Sequence, residues 1–265
     1  MSDNEKLIRS FDASGAGEDA RRLLDLAEQV VKGKPFRVSD FMSPAGLAIA
    51  DAVRANYPGI RVDAFGGYEG AERLRIAFVD TNFQGTVNHG VSLVNVSWDP
   101  RFRLLTHRDV LGSLMGLGLE RGKFGDIIIR QGGAQVLVDS SVAHFVVDNF
   151  VKIAMVTVKC ELGDLSDIIP KEEKIKEVRT TVASLRLDAV ASSGFSLSRT
   201  KLVSAVNAGL LQVNWQPAKD PSQEFKVGDI ISMRGRGRMK VEAITGTSKK
   251  GRIGVYLKRF MSGVS

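Results

Sequence analysis

The chain has 265 residues, of which 43% are hydrophobic and 25% charged, with a net charge of +7. Those numbers predict two domains, or three small ones, and exclude a disordered tail. No apolar run approaches the roughly 18 residues needed to span a bilayer, and the polar, mixed-charge stretch from Met1 to Ala20 has neither a signal peptide's apolar core nor a transit peptide's lack of acids. The expected setting is a bacterial (or cyanobacterial) cytoplasm, or the chloroplast stroma if the sequence is a processed plastid form, with no membrane insertion. The single cysteine, Cys160, rules out an intrachain disulfide and reads as a small buried apolar residue.

Charge is unevenly placed. Lys226 to Ser265 holds ten Lys/Arg and two acids, a net +8, whereas the rest holds 27 Lys/Arg and 28 Asp/Glu. The excess positive charge therefore sits in one C-terminal module, which points to a polyanionic partner, nucleic acid first.

In chain order, Asp19 to Lys32 reads as a helix with Leu23, Leu24, Leu26, Ala27, Val30 and Val31 as its apolar stripe. Pro44 to Asn56 reads as a second helix, with Ser43 as N-cap. Ile60 to Phe65 and Leu74 to Phe78 read as a hairpin pair joined by Gly66 to Arg73. The connection has two readings: Tyr68 and Arg73 clamp a nucleotide, or they belong to a hairpin turn with a surface ion pair.

The middle stretch gives a strand at Val91 to Trp98 and a helix opened by Thr106-His107-Arg108-Asp109, a capping-box pattern burying Val110, Leu111, Leu114 and Met115. Strands follow at Asp126 to Arg130 and Ala134 to Val138, then a helix from Ser140 to Val151 and a last strand from Ala154 to Glu161. The order β-α-β-β-α-β is the split pattern of ferredoxin-like and RNA-recognition-motif folds. RNA-recognition motifs stack bases on sheet aromatics, and the third strand here has none, which gives the module a structural or partner-docking role. His107 and Arg108 at a helix N-terminus suit a phosphate or are solvated first-turn residues.

Chemistry-bearing motifs are missing. The tract Gly116 to Phe124 lacks the phosphate-loop spacing and has Phe where Ser or Thr must hold magnesium. His89, His107 and His144 are scattered without metal-site spacing. The expectation is a non-enzyme with no catalytic residues, no metal and no cofactor.

The last part opens with a charged stretch, Pro170 to Thr181, read as a linker or surface segment. Helices at Leu185 to Ala191 and from Ser196 or Ser198 to Asn207 follow, then strands at Leu211 to Trp215, Ile230 to Met233, Met239 to Thr245 and Gly254 to Leu257. Arg234-Gly235-Arg236-Gly237-Arg238 alternates three guanidiniums with glycine. It reads as a phosphate-contacting edge or as a solvated basic turn.

The pieces Arg186-Leu187-Asp188, Ser198-Arg199, Ala208-Gly209, Val213-Asn214 and Val227-Gly228-Asp229 resemble the RNA-binding domain named after small-subunit ribosomal protein S-four, with Trp215 where glycine usually follows Val-Asn. With "FGGYEGAERLR", "LTHRDVLGSLMGLGLERGKFGDII" and "RGRGR", nearly the whole chain resembles the YlmH-like family, close to the photosystem II S-four-domain proteins. The resemblance implies an α+β chain of three modules: an N-terminal α/β domain (1–85), an RRM-like domain (90–165), a charged linker (166–181) and an S-four-type domain (182–265). It also implies binding of structured ribosomal RNA or tRNA, with the large ribosomal subunit as a partner. The candidate RNA contacts are Arg186, Ser198, Arg199, Lys201, Arg234, Arg236, Arg238, Lys240, Lys249, Lys250 and Arg252, with Tyr68, Arg73, His107 and Arg108 secondary. For about six phosphate contacts, log K falls against log salt with a slope on the order of −4 to −5. Two alternatives stay open: an assembly factor for cell division or photosystem II biogenesis, and an RNA-modification accessory protein.

Overall fold

The structure, a computed structural model, describes residues 3–12, 15–99, 101, 104–170, 174–214, 216–218, 220–233, 236–248 and 251–261. The chain is a mixed α+β protein dividing into two compact units, Met1–Lys171 and Glu172–Val264.

The first unit begins with helices α1 (Asp3–Asp12) and α2 (Gly17–Val31), strand β1 (Phe36–Met42), helix α3 (Ala45–Arg54) and strands β2 (Ile60–Phe65) and β3 (Leu74–Asp80). In α2, Leu23, Leu24, Ala27 and Val30 are buried as their spacing predicts, but Val31 is exposed. Two of these elements are additions. In α1, a polar majority hides Leu7, Ile8 and Phe11, whose spacing forms a helical stripe packed on α2 and α3. In β1, Ser39-Asp40 interrupts alternation with a bulge, so the consecutive residues Phe41 and Met42 are both buried. Ser43 does not cap α3 through its side chain; Pro44 is the N-cap, and Ser43 offers only its carbonyl, to the Gly46 N–H. The three strands form an antiparallel sheet in the order β1-β3-β2.

The unit continues with β4 (Val91–Ser97), α4 (His107–Met115), β5 (Phe124–Arg130), β6 (Gly133–Asp139), α5 (Ala143–Asn149), a two-residue-strand hairpin β7 (Lys152–Ile153) and β8 (Val156–Thr157), and β9 (Lys159–Gly163). The sheet order β5-β6-β4-β9 is antiparallel throughout, the arrangement a β-α-β-β-α-β chain makes when its first and third strands pair at the centre. Thr106 accepts from the Asp109 N–H while the Asp109 carboxylate accepts from the Thr106 N–H, so the capping box forms. The single strand expected at Ala154 to Glu161 is instead the β7–β8 hairpin followed by β9, because Ala154 takes a φ of 52° and reverses the chain. Met115, expected inside, is exposed at the end of α4.

The second unit contains β10 (Lys174–Val182), α6 (Leu187–Phe195), α7 (Arg199–Asn207), β11 (Leu211–Val213), β12 (Gln216–Pro217), β13 (Ile230–Met233), β14 (Gly237–Thr247) and β15 (Ile253–Met261). They form one sheet, β10-β15-β14-β13-β11-β12, with Leu187, Phe195, Leu202, Ile231, Met239 and Leu257 buried in its core. A Cβ on Gly194 would collide with the Met239 sulfur, so glycine lets α6 lie directly on β14. The stretch expected as a charged linker is corrected here. Lys174–Val182 is an edge strand paired along its length with β15, with Val178 and Val182 on the core side and Glu177 and Arg179 on the opposite side. Strand β15 also runs four residues past the expected Leu257.

Candidate nucleic-acid interface

On the helix side of the second unit, Ser198 sits in extended backbone and accepts the Lys201 N–H, starting α7 with Arg199 and Lys201 exposed in its first turn. Arg252, at the start of β15, reaches the same region. Arg199 and Arg252 line one cleft of about 230 Å³ with Ser192 and Ser193. Arg252 also donates to the hydroxyl and carbonyl of Thr181, which fixes its guanidinium against β10. Arg186 stands apart, as the N-cap residue of α6, nine residues and about 13 Å of helix from the turn into α7. Its Nε lies 3.2 Å from the Asp188 carboxylate. The structure thus brings Arg199 and Arg252 to one cleft, places Lys201 in the same first turn of α7 as Arg199, and leaves Arg186 outside.

Strand register splits the expected basic surface. Met239 and Val241 of β14 face the helices, so Arg238 and Lys240 face the opposite side of the sheet. Arg238 lies over the Phe260 ring at 5.1 Å, and Lys240 sits 3.3 Å from Glu242. Arg236 is exposed in the β13–β14 turn, where its carbonyl accepts from Arg259. Arg234, Lys249, Lys250 and Trp215 lie outside the described residues.

In the first unit, the Gly66–Arg73 connection joins β2 and β3 as the expected hairpin, but Tyr68 and Arg73 are engaged internally and not in a surface ion pair. Tyr68 donates to Asp126 at 2.8 Å, and the same carboxylate accepts the N–H groups of Glu72 and Arg73. The Arg73 guanidinium donates to the carbonyls of Phe124 and Phe41. These are internal bonds that fasten the connection to β5 and β1. Burial, then the nearby Arg121 guanidinium, lowers the Arg73 pKa to about 10. Both arginines, with Arg22, line a cavity of about 520 Å³ whose wall also carries Asp19, Asp25 and Asp40, so its charge is balanced. His107 and Arg108 are exposed in the first turn of α4.

The sheet face that RNA-recognition motifs use for stacking is covered in this unit. Leu93, Ile128 and Leu137 on that face pack with Phe41 and with Tyr68, Leu165 and Ile168. Gln135, on the same face, donates to the Asp167 carbonyl and accepts from the Ile169 N–H, so residues just after β9 are pinned across the sheet. Beside them, Asp139 meets Arg75 at 2.9 Å and Lys123 at 3.2 Å. Burial pushes the Asp139 carboxyl upward. The Ser141 N–H and hydroxyl, Arg75 and Lys123 outweigh it and bring its pKa down to about 2. Burial raises the Cys160 thiol to about 11.

Sequence reasoning missed Arg179, Tyr256, Lys258 and Phe260. Their signal was present as the period of two in Val255 to Phe260, with Val255 and Leu257 buried between outward Tyr256, Lys258 and Phe260. Arg179 was obscured by reading its charged surroundings as a linker. Among the described residues, no His, Cys, Asp or Glu group of three is placed to hold a metal, and no helix is long and apolar enough to cross a membrane.

Three family models match the chain: "YlmH, N-terminal" over residues 16–83, "Putative RNA-binding domain in YlmH" over 86–167 and "S4 domain" over 185–231. The chain is 34% identical over 247 residues to the ribosome-associated protein quality control protein P2 of Bacillus subtilis, covering 91% of this chain and 96% of the relative. Its fold is also similar to a solved cell division protein, ylmH, from Streptococcus pneumoniae, with a TM-score of 0.51 at 22% identity, over 59% of this chain and 95% of that one. Identity of 34% to one relative over nearly the whole of both chains, and matches to each of the three modules in order, establish that this chain belongs to the YlmH family of RNA-binding, S4-domain proteins.

Proposed function

We propose that the protein is a non-catalytic factor that binds structured ribosomal RNA or tRNA on the large ribosomal subunit and acts in translation quality control, in a bacterial cytoplasm or a plastid stroma. The observation that carries this reading is the exposed pair Arg199 and Lys201 at the capped start of α7, within the region matching the S4 model, with Arg252 sharing the Arg199 cleft. A rigid helix terminus flanked by cations reads phosphates and the shape of folded RNA more than base identity. The name of the Bacillus relative, a ribosome-associated quality control protein, supports the choice of RNA.

The test is in-cell UV crosslinking with sequencing of bound RNA, comparing wild type with Arg199→Glu/Lys201→Glu. Sharp peaks on large-subunit ribosomal RNA and tRNA, lost in the variant, are expected. Peaks that persist in the variant would remove the α7 cluster from the interface; enrichment of no RNA would overturn the function.

A further inference from the structure

On the side of the six-stranded sheet away from α6 and α7, β15 presents Tyr256, Lys258 and Phe260 at two-residue spacing. The orientation follows from β10. Val178 packs into the core and the Thr180 hydroxyl lies 2.7 Å from that of Ser193 on α6, so Arg179 points to the opposite face. There the Arg179 guanidinium carbon sits 5.2 Å from the Tyr256 ring centroid, and that of Arg238 5.1 Å from the Phe260 centroid. Lys240 and Lys258 are cross-strand partners between the two pairs, with Glu242 within 4 Å of both. A shallow cleft of about 480 Å³ runs beside Tyr256, lined by Arg179, Thr181 and Thr245.

Holding a sheet together needs no partly exposed rings on the solvent face. Rings topped by guanidinium planes are flat, apolar and positively charged, the combination on which nucleobases stack while the backbone is neutralised. Helical RNA cannot use such a surface, because its bases already stack on each other. Tyr256 and Phe260 are four residues apart, about 13 Å along the strand, so two bases of one strand can be held separately.

We propose that this face is a second RNA surface. It takes unpaired nucleotides by stacking bases on the Arg179–Tyr256 and Arg238–Phe260 pairs and holds their phosphates with Lys240 and Lys258. The proposal rests on the RNA-binding reading above and adds the class of RNA: single strands here, folded RNA at α7.

The experiment measures fluorescence anisotropy of the full-length chain with two probes, an oligouridylate of about twelve nucleotides and a fully paired RNA hairpin. Tyr256→Leu/Phe260→Leu removes both rings and keeps apolar bulk. It is expected to weaken oligouridylate binding about 10-fold or more and to leave the hairpin within about two-fold. Arg199→Ala/Lys201→Ala is expected to do the reverse. Crosslinking wild type to a 4-thiouridine oligonucleotide, read by mass spectrometry, needs no variant; adducts on peptides containing Tyr256 or Phe260 are expected. Unchanged oligouridylate affinity in the ring variant, or adducts confined to α7 peptides, overturns the second surface. Wild type that binds the hairpin but not the oligouridylate overturns it while leaving the proposed function standing. Binding of neither probe overturns both.

Discussion

In the first unit the sheet β5-β6-β4-β9 is apolar on both faces. One face lies under α4 and α5, and the other under Phe41, Tyr68, Leu165 and Ile168. In the second unit the sheet is apolar only where α6 and α7 cover it, and its other face is mixed basic and aromatic. The first sheet has the topology that in RNA-recognition motifs offers an open stacking face, yet here that face is core. The second carries the proposed folded-RNA contacts on α7, yet its other face is the one with partly exposed rings and cations. Topology therefore does not say which surface is available; the coverage of each face does.

The difference is easiest to break with a charge. Leu137 is fully buried in the covered face. Leu137→Lys places an unpaired ammonium there and is expected to destabilise the first unit by more than about 4 kcal/mol in urea unfolding. Phe260→Lys, on the open face of the other sheet, is expected to cost about 1 kcal/mol or less. A similar small cost for both would mean the first sheet's outer face is not core.

A second, smaller effect concerns the edge of the covered face. Asp139→Ala leaves the nearly buried Arg75 without its carboxylate and is expected to cost about 3 kcal/mol. The wild-type carboxyl also predicts a pH dependence. Its folded pKa, about 2, lies below its ordinary value of 3.8. The unfolded state therefore binds the proton more readily. The stabilisation is fully present above pH 4 and is lost as pH falls towards 2. The amount is on the order of 2 kcal/mol, and Asp139→Asn should flatten that part of the acid-unfolding curve.

What the sequence made legible was local. The Thr106–Asp109 capping box, the Ser198 cap and the first three middle strands depend on residues a few positions apart, and each forms. What escaped depends on distant partners. Nothing near Leu137 announces that Phe41, almost a hundred positions away, packs on it. Lys174–Val182 reads as solvated because one side of an edge strand is solvated; only pairing with β15 makes it a strand. The arginine alternation reads as a phosphate-contacting edge or a solvated basic turn, and nothing local to it says that strand parity puts Arg238 on the far face of the sheet from α7.

Between the two faces of the second unit, Ser198→Ala tests the helix side alone. Losing the side-chain cap is expected to cost about 1 kcal/mol and to loosen the first turn that presents Arg199 and Lys201. Thermal unfolding should show the stability loss. Hairpin affinity should fall with it, while oligouridylate affinity stays as in wild type.

The smallest effect separates stability from binding on the open face. Arg179 is exposed and its contact with Tyr256 is a single cation–π pair, so Arg179→Ala is expected to cost only about 0.5 kcal/mol. A double-mutant cycle with Tyr256→Leu should give a coupling of the same small size in urea unfolding. In oligouridylate binding the same cycle should give a larger coupling, because a base stacked on the pair contacts ring and guanidinium together. A pair that matters little to the fold and more to the ligand is what an open stacking surface requires. Equal coupling in both measurements would make Arg179 and Tyr256 a surface ornament of the sheet, and the two sheets would then differ in burial but not in use.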